Sequence, residues 1–462
     1  MGQYEFGCMS RRSIVICGNG ASAALLLCAL ARRGEGSKFE VTVIGTGPRL
    51  GAGIAYATGN PNHLLNVPAG RMSADPLEPQ DFEKFLAARG NKAGDFAQRF
   101  VARGFYSDYL DQTLKSLLPK DMQKHVRHVR AQVHGLIRVG LGWTVLHGEG
   151  STNADLVVLA TGLGGPAPIA GRYSADAARI IEIPWGEPQV DTKEDVLVLG
   201  TGLTAMDTVI SLMDPGHTGQ ITLLSRHGML PATHVPPAKR EALAQPFPRG
   251  PGALLRAIKK EAGATPEEWQ GFMDAMRPHW PEIWDGFDAR EKSRALRHGL
   301  SHWNRHRHRV APAGAARVQD AGVTIMAGRL TALTLKEQRL AATVTHKGKT
   351  QNLTVDRVIN CTGPALNKGH DALMENLIAS RQARIGPAGL GLDVDDRNRV
   401  TDSDGLAQPS LFALGAPTRG RWWEITAIPE ISRQAMDIAG HIRAQFSLMD
   451  AATRLERKGA KA

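Results

Sequence analysis

Two glycine-rich turns are the segments of this sequence with the clearest chemical use. The first is Gly18-Asn19-Gly20-Ala21-Ser22-Ala23, directly after the apolar run 13–17. Gly18 permits a tight turn, Gly20 lets the backbone approach a pyrophosphate, and Ala23 permits close packing of a helix on a strand. The N-terminus of the following helix offers free backbone N–H groups to an anion. The turn therefore predicts a dinucleotide site.

A carboxylate is expected at the end of the next strand of such a unit, where it would bind ribose hydroxyls. The apolar run 40–44 instead ends in Gly45-Thr46, so the acid is missing. We predict that Thr46 or backbone groups hold the ribose, with some loss of affinity for the nucleotide. The alternative is a degenerate unit that binds no nucleotide.

The second turn is Gly200-Thr201-Gly202-Leu203-Thr204-Ala205, after the apolar run 196–199. The next run, 221–224, ends in Ser225-Arg226-His227. A carboxylate at this point would repel a 2′-phosphate, whereas a hydroxyl and a guanidinium attract one. Ser225 and Arg226 therefore predict NADPH rather than NADH. The alternative is that Arg226 is simply a solvated arginine at a strand end.

The elements that position these turns follow from the hydrophobic pattern. Short β-rich apolar runs recur, and several are apolar throughout, as in strands buried on both faces of a parallel sheet. They are 13–17, 41–44, 155–160, 196–199, 221–224, 355–360 and 410–414. Helical stretches, 21–33 and 203–213, directly follow two of them. The resulting βαβ pattern occurs twice, which predicts two dinucleotide folds.

Several further segments match a known group of proteins. They are GAGIAY at 51–56, LNVPAGRMSA at 65–74, GLTAMD at 202–207, SRHGMLP at 225–231, WNRHRHR at 303–309 and GRWWEITAIPEI at 420–431. Over roughly residues 12–445, the chain resembles the FAD/NAD(P)-binding proteins related to class B flavin monooxygenases. The resemblance implies FAD in the first dinucleotide fold and NADPH in the second.

The resemblance also adds residues to the predicted cofactor sites. It implies that Gly415 ends the last strand of the FAD domain close to the flavin phosphate or ribityl chain, and that a helix starting near Pro429 points its N-terminus at the flavin. Many flavoproteins carry Asp after that glycine, whereas this chain has Ala416. The further predicted cofactor-binding residues are Arg71, Met72, Thr161, Gly162, Gly363, Trp423, Glu424 and Thr426.

Asn66 is the predicted catalytic residue. In flavin-containing monooxygenases an Asn in a comparable stretch lies by the flavin and NADP, followed by Met-Ser and then Asp-Pro. Asn66, Met72-Ser73 and Asp75-Pro76 reproduce that order. An amide can hydrogen-bond a flavin C4a-hydroperoxide without titrating. The alternative is a turn-forming Asn before Val-Pro.

Composition narrows the class of protein. Glycine makes up 50 of 462 residues, and the formal net charge is +11, which favours anionic ligands. The four cysteines, at 8, 17, 28 and 361, form no C-x-x-C pair and no zinc-ligand spacing, so we predict a reduced, cytoplasmic protein without a metal.

Arg11-Arg12 before an apolar run resembles an export signal. We favour a buried strand, turn and helix there, and no membrane span.

A basic segment interrupts the second dinucleotide fold. Residues 236–310 are rich in Pro, Trp, His and Arg and predict a helical insertion, with helical tracts at 252–262 and 290–309. The tract 294–309 holds five arginines and four histidines. It could contact NADPH phosphates or an anionic substrate, or form a solvated helix face, and we do not expect nucleic acid to bind there. Residues 323–354 predict short strands.

We therefore predict an α/β fold with two Rossmann-like dinucleotide-binding domains. The FAD-binding domain is discontinuous, at 1–190 and 355–462, and the NADPH-binding domain spans 191–354. The predicted function is an NADPH-dependent monooxygenase that oxidises a small amine, thioether or carbonyl with molecular oxygen. The alternatives are a flavin reductase or dehydrogenase without oxygenation, and a nucleotide-binding redox sensor without turnover.

Overall fold

The computed structural model describes residues 11–33, 39–90, 96, 98–118, 120–148, 150–169, 172–173, 176–185, 190–240, 243, 247–364 and 372–459, with the backbone alone at 121, 122 and 452–459. Cys8 lies outside these residues, so three of the four cysteines are described.

The strands are β1 (Arg12–Cys17), β2 (Phe39–Ile44), β3 (Val126–Val129), β4 (Val133–Val139), β5 (Gly142–His147), β6 (Gly150–Ala154), β7 (Leu156–Leu159), β8 (Ile180–Ile181), β9 (Val196–Leu199), β10 (Ile221–Ser225), β11 (Thr324–Ala327), β12 (Arg329–Lys336), β13 (Arg339–His346), β14 (Lys349–Val355), β15 (Arg357–Asn360), β16 (Arg399–Thr401) and β17 (Ala407–Ala413). The helices are α1 (Ala21–Arg32), α2 (Asp81–Ala88), α3 (Gly104–Leu117), α4 (Lys120–Gln123), α5 (Leu203–Met213), α6 (Pro251–Glu261), α7 (Pro266–Met276), α8 (Trp280–Asp285), α9 (Ala289–Arg307), α10 (Pro312–Asp320), α11 (Ala372–Ala379) and α12 (Ile428–Gly459).

The first dinucleotide unit is built on a six-stranded sheet in the order β16-β17-β7-β1-β2-β3. Its strands are parallel except at the β16–β17 edge. Successive residues of β1 point to opposite faces, so Ile14 and Ile16 pack under α1 and α12, while Val15 and Cys17 pack toward the β4–β6 sheet. Burial on both faces explains why the run is apolar throughout.

The apolar run after Arg11-Arg12 forms the predicted strand, turn and helix. Ile14 and Ile16 of β1 and Leu25 to Leu27 of α1 are at most 1% exposed, so the run is part of the core. Among the described helices, none has the length and apolar character needed to cross a membrane.

The second dinucleotide unit is a parallel sheet in the order β11-β10-β9-β15-β8. α5 and α10 cover one face, and the antiparallel sheet β12–β14 covers the other. The sequence predicts that the chain returns to the first unit at residue 355. The strand pairing shows that it returns only after β15. β15 lies between β9 and β8, so the second sheet begins at Ile180 and ends at Asn360.

Of the described helices between β10 and β11, α6 to α9 form the helical insertion, and α10 packs on the second sheet. Local sequence fixes their starts. Thr265 and Glu268 form a capping box at α7, with Pro266 in its first turn, and Asp288 and Glu291 form one at α9. The insertion has its own core, which includes Trp280, Trp284 and, from the far end of the chain, Trp423. The insertion therefore packs against the segment that precedes α12.

Candidate nucleotide sites and the interface between them

The first glycine turn is closed by the neighbouring strand. Gly18 has φ +109°, and a Cβ placed on it would overlap the carbonyl oxygen of Ala160 and lie 3.2 Å from Thr161 Cα. Gly53 also packs closely on the turn, since its Cβ would lie 2.9 Å from Gly20 Cα. The structure thus brings the predicted Gly18, Gly20 and Thr161 together at the N-terminus of α1, whose first turn carries no acidic residue.

Asn19 explains the missing ribose acid. Its side chain is only 6% exposed. Its Nδ2 donates to Gly47 O at 2.9 Å, and its Oδ1 accepts from Gly47 N at 3.2 Å. A Cβ at Gly45 would lie 2.5 Å from Asn19 Oδ1 and 2.7 Å from Asn19 N. An acid at position 45 is therefore sterically excluded, and exposed Thr46 follows it at the end of β2.

The turn after β17 meets the start of α1, while the position of Gly415 beside the flavin stays a prediction. A Cβ on Gly415, which has φ +72°, would lie 3.0 Å from Ser22 Oγ. Gly415 N donates to Gln434 Oε1 at 2.7 Å. Gln434 Nε2 and Trp422 Nε1 each donate to Asn398 Oδ1 at 2.7 Å. This buried network ties the turn at 415 to the first turns of α12.

Helix α12 begins at Ile428, next to the predicted Pro429. Glu430 in its first turn pairs with Arg277 of the insertion, with Arg277 Nε 2.6 Å from Oε1 and Nη2 2.7 Å from Oε2. Thr426 is half-buried just before the helix, and its N–H donates to Glu424 O at 2.7 Å. The helix start is therefore held to the insertion by a bidentate ion pair.

Trp423 and Glu424 are buried against the insertion. Trp303 Nε1 donates to Glu424 Oε1 at 2.8 Å, and Arg307 Nε lies 2.7 Å from Oε2. Burial raises the pKa of Glu424, while Arg307 opposes that rise. Trp423 stacks on Trp284 at 4.7 Å between ring centroids. These packing contacts were not predicted, and the role of both residues in binding FAD stays a prediction.

The second glycine turn repeats the design of the first. Gly200 has φ +121°, and a Cβ placed on it would overlap the carbonyl oxygen of Cys361, at the end of β15. Gly202 has open space around it and precedes Leu203, the first residue of α5. Gly363, two residues beyond Cys361, has φ +79° and is also open. The predicted Gly200, Gly202, Leu203 and Gly363 therefore belong to one turn region.

Ser225 and Arg226, predicted as one phosphate site, have different surroundings. Ser225 Oγ accepts from Gly228 N at 3.1 Å and lies 2.9 Å from Thr201 Oγ1. Its hydroxyl therefore shapes the turn after β10. Arg226 is exposed, and among the described residues nothing forms an ion pair or hydrogen bond with its side chain. Arg226 is the member of the pair that is free to meet a phosphate.

Asn66 lies where the two dinucleotide units meet. Its Oδ1 accepts from Arg103 Nη2 at 3.2 Å. Arg103 Nη1 in turn lies 2.6 Å from Asp207 Oδ2 on α5 of the second unit. His234, which follows β10, has its Nε2 2.9 Å from Asn66 O, and burial lowers its pKa to about 4. A neutral ring donates this Nε2–H to the carbonyl, so Asn66 is held from both units.

The same interface continues along the loop 58–63. His63 Nε2 lies 3.0 Å from Ser211 Oγ of α5, and Asn60 and Asn62 donate to Asp214 at its end. Arg103 and Asp207, which form an ion pair in this interface, were not predicted as site residues. The signal for Asp207 was present, since it ends the segment GLTAMD that contributed to the family resemblance.

Arg71 and Met72 do not line either glycine turn. Arg71 Nη1 donates to Asp274 Oδ2 of the insertion at 3.2 Å, and Met72 is 2% exposed in the core of the first unit. Gly162, with φ +74°, follows Thr161 beside the first turn. Among the described residues, no group of three or more His, Cys, Asp or Glu side chains could hold a metal ion.

Residues 15–164 match the model of the FAD-NAD(P)-binding family. This match confirms the predicted resemblance for the part of the chain that holds the first glycine turn. A search by sequence among curated proteins finds no match.

Solved flavoproteins share the whole fold. The ornithine hydroxylase of Pseudomonas aeruginosa superposes with a TM-score of 0.63 at 15% identity, covering 95% of this chain and 100% of that one. The FAD-bound cadaverine monooxygenase of Erwinia amylovora gives 0.63 at 14% identity, with 94% of each chain covered. The ornithine N-hydroxylase of Kutzneria sp. 744 gives 0.62 at 14%, covering 94% and 100%. The fold predicted from the sequence, with two dinucleotide-binding units, is confirmed.

Proposed function

We propose that this protein is an FAD- and NADPH-dependent monooxygenase that oxidises a small molecule with molecular oxygen. The observation that carries the proposal is the pair of glycine turns, each closed by the carbonyl of a neighbouring strand, in units joined at Asn66. The solved structures that share this fold include hydroxylases of ornithine and cadaverine. Within the predicted classes of substrate, we therefore place small amines first.

The first turn fits FAD. The close approach at Gly18 and Gly53 leaves backbone N–H groups of α1 free for a pyrophosphate, and exposed Thr46 lies where a ribose would be held. Gly415, beside Ser22, would border the same ligand. When bound, FAD supplies the hydride acceptor and the chemistry toward oxygen.

The second turn fits NADPH. Gly200 and Gly202 shape the turn, α5 offers its N-terminal N–H groups, and Arg226 stands free at the end of β10. A guanidinium at this position favours a 2′-phosphate over a ribose hydroxyl. We assign NADPH to this unit on that basis.

Asn66 would orient the reacting groups. Arg103 holds its Oδ1, which fixes the orientation of the amide, and among the described residues nothing accepts a hydrogen bond from its Nδ2. Two N–H donors are therefore available at the junction of the units. An amide keeps these donors at every pH, so it can hold an oxygen atom without exchanging a proton.

One observation favours the reductase alternative. The contacts of Asn66 with Arg103 and His234 would also suit a purely structural residue, and a reductase needs no amide for the oxygen step.

The described cysteines do not favour a reductase that works through a dithiol. Burial raises the pKa of Cys28 and Cys361 to about 12, so neither is a thiolate at neutral pH.

The test is a coupling assay on the purified protein. FAD content is measured first, then flavin reduction by NADPH without oxygen, and then product formed per NADPH consumed with oxygen and a panel of small amines. A monooxygenase forms hydroxylated amine in a large fraction of the turnovers that consume NADPH and oxygen. A protein that binds FAD but forms one hydrogen peroxide from oxygen for every NADPH oxidised, with no hydroxylated amine, is a reductase. One that takes up no FAD contradicts both readings.

A further inference from the structure

Basic side chains from three elements lie near one another at the end of β10, whose last residue, Ser225, contacts Thr201 of the second glycine turn. Arg226 and His227 follow β10, Lys259 comes from α6, and His302 and Arg305 come from α9. All five are exposed. We refer to them as the basic cluster.

Two hydrogen bonds hold the last turn of α9 against the segment after β10. Arg305 Nη1 donates to Leu230 O at 3.4 Å, and Ala232 N donates to Arg305 O at 2.8 Å. Burial lowers the pKa of His302, and the nearby charges of Lys259, His227 and Arg305 lower it further. The side chains of Lys259, His227 and Arg305, which come from three elements, therefore lie close to His302.

The basic cluster has no compensating acid. Among the described residues, none of its members forms an ion pair with a carboxylate. Arg277, Arg307 and Arg309, also in or next to the insertion, each have a carboxylate partner within 3.0 Å. Like charges held together without counter-charge destabilise the fold, and such an arrangement favours a ligand of opposite sign.

We propose that Lys259, His302 and Arg305 complete the 2′-phosphate site of NADPH, so that the helical insertion takes part in selecting NADPH over NADH. The proposal rests on the proposed use of NADPH by the second unit. A phosphate monoester carries nearly two negative charges and three acceptor oxygens, which one arginine alone cannot satisfy. The Ser225 hydroxyl has a single O–H to donate, and the cluster supplies the further donors.

The experiment measures binding of adenosine 2′,5′-bisphosphate and of 5′-AMP by calorimetry, at low and high salt. These probes differ in the 2′-phosphate alone. We expect Lys259→Ala and Arg305→Gln each to weaken binding of the bisphosphate by roughly tenfold or more, and to reduce its salt dependence. Binding of 5′-AMP should not change. The glutamine retains a donor for Leu230 O.

Arg290→Ala is the matched control, because it removes an exposed arginine from α9 about 22 Å along the helix from Arg305. If Arg226→Ala weakens bisphosphate binding while Lys259→Ala and Arg305→Gln behave like the control, the inference is overturned and the NADPH proposal stands. If the wild-type protein binds both probes equally, the NADPH proposal fails. Should Arg305→Gln lose both probes through misfolding, Lys259→Ala, which removes a side chain from the surface, decides.

Discussion

Arg103 of the first dinucleotide unit and Asp207 of the second form an ion pair across the interface, with 2.6 Å between Nη1 and Oδ2. Their side chains are 14% and 20% exposed. The same guanidinium donates to Leu64 O and to Asn66 Oδ1. One arginine thus couples the placement of the second unit to the orientation of the predicted catalytic amide.

Asp207→Asn should lower the stability of the protein by about 3 kcal/mol, because it leaves the Arg103 charge mostly buried without its counter-charge. The midpoint of urea unfolding and the Tm measure this loss. Asp111→Asn is the control, since Asp111 pairs with Lys115, whose side chain is 73% exposed, and such surface pairs contribute about 0.3–0.5 kcal/mol. Equal losses of unfolding free energy in the two variants would show that the interface pair stabilises the protein no more than a surface pair does.

Asn66→Ala should leave FAD content largely intact, because the substitution removes no charge. Loss of one oriented donor in a dry site costs about 2.7–4 kcal/mol, or roughly 10²–10³ in turnover. NADPH should still reduce the flavin, with hydrogen peroxide released in place of oxidised product. Asn62→Ala is the control, because the Asn62 side chain donates to Asp214 and, among the described residues, has no contact with Asn66 or Arg103. Loss of FAD or of folding in Asn66→Ala alone would make Asn66 a structural turn residue.

Gly45→Asp restores the acid that ribose-binding strands usually end in, and we expect it to weaken FAD binding. The new Cβ would lie 2.5 Å from Asn19 Oδ1, so the turn must shift. FAD content and Tm after purification measure the effect. Gly59→Asp, at a glycine with no atom within 4 Å of the added Cβ, should change neither. Tighter FAD binding by Gly45→Asp would contradict this expectation and would mean that Asn19 moves aside at little energetic cost.

Acid should destabilise the protein through His234. Burial lowers its folded-state pKa from 6.5 to about 4, so between these values the unfolded chain binds the extra proton. Stability is therefore complete above pH 6.5 and falls as the pH drops, by about 2 kcal/mol for this residue between pH 7 and pH 5. Urea unfolding at the two pH values should show a smaller difference for His234→Asn. The exposed substitution His298→Gln should leave the difference unchanged.

The sequence predicted those parts of the fold that depend on neighbouring residues. α5 was expected at 203–213 and spans Leu203–Met213, because a glycine turn after a continuous apolar run signals a helix start locally. The helical tract predicted at 290–309 likewise corresponds to α9, which spans Ala289–Arg307. Both signals operate over a few residues, so they can be found in one sequence.

Contacts between distant segments could not be predicted in this way. β15 was assigned to the first unit because its pattern resembles that of β7, and only its pairing with β9 shows otherwise. The sequence shows that an acid is missing at Gly45, but the steric reason lies 26 positions earlier, at Asn19. Glu424 and Trp303 are separated by 121 positions, and the local sequence around either residue does not predict their hydrogen bond.

The pairing of β8 with β15 also bears on how such a protein could be altered. Ile180 and Ile181 lie beside Val358 and Ile359 in parallel register, so the chain passes into and out of the second sheet through adjacent strands. A segment whose two ends are neighbours can be replaced as a block, because the strand order of the first sheet does not change. The nucleotide preference of the second unit could therefore be changed by grafting, with the joins placed before β8 and after β15.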